Sequence, residues 1–129
     1  MGKVREGRGG HGLRRLETVL VSLVAAHSVG VGLGLLFLTE WGVRLGGWTQ
    51  VEPLFFPRQA GAFHLVVASA YLIEYFRYRG VLILLTAKSL AVVFLFASAA
   101  LGPAPWVVPF SGIADGLMGL AVFLVHRLR

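Results

Sequence analysis

Residues 58–101 read RQAGAFHLVVASAYLIEYFRYRGVLILLTAKSLAVVFLFASAAL, and the reading of this stretch decides the fold. It is an apolar segment, a basic turn at Arg77-Tyr78-Arg79-Gly80, and a second apolar segment. Both arms carry ionisable groups: His64 and Glu74 on the first, Lys88 on the second. Such a group at bilayer depth costs about 2.5–3.5 kcal/mol or more, so it faces protein or water rather than lipid. The stretch therefore predicts a hairpin of two membrane-crossing helices with a polar interior.

Composition agrees. The 129 residues are 57% hydrophobic and 14% charged, with a mean hydropathy of +0.78. Soluble domains sit near 45–50% apolar and about 25% charged, so the balance points to lipid as solvent. With no cysteine, the chain has no disulfide, thiolate metal site or Cys nucleophile. The net charge of +6 comes from basic residues clustered at the ends of apolar runs, where membrane orientation accounts for them; nucleic acid is not an expected partner.

Outward from the hairpin, residues 1–15 read as a Gly-rich basic tail, mobile on the membrane surface, with Lys3, Arg5, Arg8, Arg14 and Arg15. Glu6 stands where a myristoylation signal needs Ser or Thr. Residues 16–126 form a four-helix membrane domain with spans at about 16–38, 59–78, 81–101 and 108–125, each near the roughly 20 residues a bilayer core requires. The first span is too long for a signal-peptide core and is read as retained. Its Ser22, Ala26, Gly30 and Gly34 recur every fourth residue and predict a smooth packing stripe. Gly112, Gly116 and Gly119 predict another on the last span. Between the first two spans, a short interfacial helix near residues 41–45 is expected to stop at Gly46-Gly47. Nine Lys and Arg flank one side of such a bundle, on the tail, the second turn and residues 127–129; only Arg44 and Arg58 lie on the other. The positive-inside rule then puts both termini in the cytoplasm, for a multi-pass protein of the bacterial inner membrane.

Counting ~1.5 Å per helical residue, His64 and Asp115 fall roughly 8–11 Å from the outer face, and Glu74 and Lys88 roughly 20–24 Å. Depth alone pairs His64 with Asp115 and Glu74 with Lys88, and adds Tyr71 to the polar face of the second span. Lys88 could instead snorkel to the interface, and a buried His–Asp contact often serves as helix glue. His27 and His64 are the residues available to ligate a haem, although no cofactor is required by the sequence. No serine sits in a nucleophile elbow, so no catalytic residue is assigned, and two intramembrane histidines are too few for a metal site.

The run Gly61-Ala-Phe-His64-Leu-Val-Val-Ala68-Ser-Ala-Tyr-Leu72, then Arg77-Tyr-Arg79-Gly80, then Ala87-Lys88, resembles the DoxX-like group of small bacterial membrane proteins. The resemblance implies a four-helix bundle with an extracytoplasmic first loop and a tight basic second turn. Some members accompany oxidoreductases as small subunits or act as assembly partners. An acidic residue often stands in that family where this chain has His64, so the resemblance implies a fold more than an activity. The leading expectation is a non-catalytic accessory or assembly subunit of a larger respiratory or photosynthetic membrane complex, with lipid and other membrane subunits as partners. The rivals are a small proton-linked carrier and a quinone- or haem-linked redox protein.

Overall fold

The computed structural model describes residues 8–129. Among these, the chain forms five helices and no strand: α1 (Arg8–Phe37), α2 (Thr39–Leu45), α3 (Phe55–Tyr78), α4 (Leu82–Leu101) and α5 (Val107–Leu128). The expected Lys3, Arg5 and Glu6 features lie outside the described residues. Residues 8–15, expected in the tail, are helical instead. Extending a helix from an anchored turn fixes one residue per hydrogen bond gained, so α1 runs on through Gly9, Gly10 and Gly12.

Local chemistry explains the boundaries. Pro57 and Pro109 each stand third in their helix, where an N–H has no intrahelical acceptor and its loss is harmless. Gly46 caps α2, and Gly47 follows in the left-handed region at φ 94°. The α3–α4 turn is tight. Arg79 takes the left-handed C-cap conformation at φ 56°, a position glycine would fill at about 1–2 kcal/mol less strain. Glu74 then reaches across the turn and accepts the N–H groups of Leu82 (3.0 Å) and Ile83 (2.7 Å), capping α4 from the preceding helix.

The four long helices form a ring in the order α1, α3, α4, α5, with the closest association between α1 and α3 and between α4 and α5. Between α1 and α3 the backbones touch at Gly32 and Gly61: a Cβ on Gly61 would lie 2.7 Å from the Gly32 carbonyl oxygen. The expected stripe does not make this contact. Gly30 and Gly34 face open space and Ala26 is exposed, because the face turned to α3 runs through Val21, Ala25, Ser28 and Gly32 instead. The stripe on α5 does pack: Gly112 lies under the Phe96 ring, Gly116 under Val92 and Gly119 under Lys88. At the end of the ring nearest the α3–α4 turn, Val21, Val24, Tyr71, Tyr75, Val81, Leu84 and Val122 close the interior as one dry cluster.

Outside the ring, large apolar side chains such as Phe37, Ile73, Leu90, Phe94, Leu117 and Leu128 are exposed. Helices α1, α4 and α5 are long and apolar enough to cross a membrane, which makes this a multi-pass membrane protein with its outer faces in lipid. The expectation of four such helices is met by three. At 24 residues α3 is long enough, but Arg58, Gln59, His64, Glu74 and Arg77 dilute its apolar character.

Candidate functional site

Beyond the hydrophobic cluster, toward the α2–α3 loop, the interior has a polar half. The polar half begins at Lys88, whose Nζ donates a 2.6 Å hydrogen bond to Asp115 Oδ1, with the two side chains only 7% and 15% exposed. Lys88 Cβ sits against Gly119, where an added Cβ would come within 3.2 Å. Gly119 is one helical turn from Asp115, so the lysine stem runs along that turn to its partner. Gly119 permits the approach.

The pairs expected from depth are therefore rearranged. Asp115 takes Lys88 rather than His64, and Glu74 caps α4 rather than meeting Lys88. Depth reckoned from span ends is one coordinate only; it ignores both the reach of four methylenes and the demand of α4's orphan N–H groups.

Three partly open cavities that share His64 lie between the α2–α3 loop and this pair. The first, about 510 Å³, is lined by Trp48, Gln50, Glu52, Pro53, His64 and Ser111 among others. The second, about 440 Å³, reaches His27, His64, Ser111 and Asp115. The third, about 320 Å³, is bounded by Ser28, His64, Tyr71, Lys88 and Asp115. His64 borders all three, and Tyr71 lies where the polar half meets the dry cluster. All four long helices contribute walls. On the far side of the ion pair, a groove of about 530 Å³ between α4 and α5 opens outward over Ser89, Val92, Gly116 and Phe123.

His27 and His64 thus border one cavity. Among the described residues, no group of three or more His, Asp or Glu is placed to hold a metal ion.

A second polar centre escaped the sequence reading. Glu17 is completely buried at the other end of the ring; its Oε1 lies 3.0 Å from His126 Nδ1 and its Oε2 lies against Arg129 Nε. The arginine approaches off the N–H direction, so Oε2 is charge-paired without an aligned hydrogen bond. The available signal was a lone carboxylate inside an apolar span, which demands a cation at matching depth on another helix. Compared with protein-family models, with curated proteins and with solved structures, the chain matches none of them.

Proposed function

We propose that the chain crosses a bacterial inner membrane four times, with both termini cytoplasmic, and works as a small proton-linked carrier for a polar solute. The observation that carries this reading is the position of the Lys88–Asp115 pair, at the floor of a vestibule walled by all four long helices rather than inside a dry contact. Support for α3 as the fourth span comes from its length, its close association with α1, and the nine basic residues that gather on one side of a four-span bundle.

The chemistry follows from charge balance. Neutralising Asp115 with a proton leaves the Lys88 ammonium without its partner, and an unpaired charge in a low-dielectric interior is strongly disfavoured. The bundle must then admit an anionic or strongly polar group to Lys88, or return the proton. His64, bordering each cavity between the loop and Asp115, is the proton's stepping point. The dry cluster beneath keeps the vestibule closed at its other end.

The test is proton flux in liposomes that hold the purified chain and an internal pH dye, under an imposed pH gradient and a fixed membrane potential, with small anionic and polar solutes supplied in turn. Wild-type protein should dissipate the gradient, and Asp115→Asn should not. Flux no greater than in empty liposomes refutes the carrier.

A second reading, an accessory or assembly subunit of a larger membrane complex, is favoured by the outward groove between α4 and α5, whose glycine-backed floor suits a neighbouring helix. The DoxX-like layout points the same way. Native mass spectrometry after gentle extraction separates the two: fixed stoichiometry with other subunits supports the second reading, and a lone chain refutes it.

A further inference from the structure

At the end of the ring opposite the vestibule, three segments distant in sequence bring arginines together. Arg14 and Arg15 come from α1, Arg79 from the α3–α4 turn and Arg129 from the end of α5, around a cavity of about 430 Å³ that also shows Thr18 and Tyr75. Arg129 pairs with the buried Glu17; among the described residues Arg14, Arg15 and Arg79 form no salt bridge.

The cluster is built rather than merely crowded. Tyr75, 2% exposed, shares a 2.8 Å hydroxyl contact with Thr18, whose hydroxyl donates to the Arg14 carbonyl at 3.0 Å. The Arg79 guanidinium carbon stands 5.6 Å from the Tyr75 ring centroid, and the Arg129 guanidinium donates to the Arg79 carbonyl at 2.8 Å. Arg79 occupies a left-handed backbone position that glycine suits better. Like charges gathered around one cavity repel, and an arrangement that also tolerates backbone strain calls for an anion in their midst.

We propose that Arg14, Arg15, Arg79 and Arg129 form a binding site for a phosphate-bearing anion, either an anionic lipid headgroup or a soluble phosphate. Guanidinium forks match phosphate oxygens in pairs, and basic pockets between membrane helices suit anionic headgroups. The site shares only the membrane placement with the carrier reading and uses neither Lys88, Asp115 nor His64.

The experiment is native mass spectrometry and thermal melting of the full chain in detergent, with phosphatidylglycerol, phosphatidylcholine or inorganic phosphate added. Wild-type protein should retain phosphatidylglycerol over phosphatidylcholine, with affinity falling about tenfold in Arg79→Gly and in the Arg14→Gln/Arg15→Gln double variant. Arg44→Gln, at the other end of the ring, should leave it unchanged. Stabilisation by inorganic phosphate alone, lost in the same variants, assigns the site to a soluble phosphate; retention of phosphatidylglycerol against excess phosphate assigns it to lipid. Arg79→Gly decides the matter if the double variant misfolds, because glycine suits that backbone. Binding of neither anion, or binding undiminished by Arg79→Gly, overturns the proposal.

Discussion

Lys88 and Asp115 lie on neighbouring helices, 2.6 Å apart at their charged atoms, and the Cβ of the lysine rests on Gly119 one turn away from its partner. The pair thus holds α4 to α5 and walls the vestibule at once, and its two roles separate under mutation. Removing one member of a buried ion pair typically costs about 3–5 kcal/mol, whereas replacing both with apolar groups is often neutral. Lys88→Met and Asp115→Leu should each destabilise the bundle by that order, and the double variant should recover most of the loss while remaining inactive in proton flux. Strictly additive losses in a detergent unfolding titration would show that the two charges are energetically independent.

The glycines on α1 divide sharply. Gly32→Ala places a Cβ 2.8 Å from the Gly61 carbonyl oxygen and should destabilise by about 1–3 kcal/mol through overpacking. Gly30→Ala meets nothing within 4 Å and should be neutral or stabilise by up to about 1 kcal/mol, from helix propensity. Thermal melts of both variants give the comparison; equal effects would contradict the backbone contact.

Glu74 has a role that an apolar surrounding would not suggest. Its carboxylate caps α4 through two N–H groups, so Glu74→Ala should cost about 0.5–2 kcal/mol and speed hydrogen exchange at Leu82 and Ile83. Glu74→Gln keeps one acceptor oxygen and should fall between. Unchanged exchange at those two amides would remove the cap from the account.

The passage of α3 through the membrane is open to direct test, because the chain has no cysteine. Thr49→Cys and Tyr78→Cys, both at exposed positions, should differ in labelling by an impermeant maleimide. Thr49→Cys reacts from outside intact cells, and Tyr78→Cys only after permeabilisation. Labelling of both from one side would leave α3 on the membrane surface.

Buried Glu17 joins α1 to α5 through His126 and Arg129. Glu17→Ala leaves two basic groups without their partner and should lower the melting temperature clearly, with His126→Ala costing less because Arg129 remains. A His126→Ala loss as large as that of Glu17→Ala would make the histidine the principal partner.

Much of the architecture is legible in the sequence because its causes are local. Apolar runs of helix length, Gly46-Gly47 and the basic turn at Arg77–Arg79 each act within a few residues, so α2 and α3 end where expected, whereas α1 begins at Arg8 rather than near Leu16. Basic residues at span ends argue for orientation in the same local way. The polar character of α3 is visible too, as His64 and Glu74.

What only the tertiary structure decided is which side chains meet. Whether Gly30 or Gly32 faces α3 depends on the rotation of α1 about its axis, and two residues along a helix is a turn of roughly 200°. Whether Asp115 meets His64 or Lys88 depends on the ring order α1, α3, α4, α5 and on a lysine stem laid along Gly119. The arginines around Tyr75 converge from three segments that sequence keeps fifty or more residues apart. Composition and periodicity specify where a helix runs and how deep a residue lies; neighbours are chosen by rotation and packing, which a single chain's pattern does not encode.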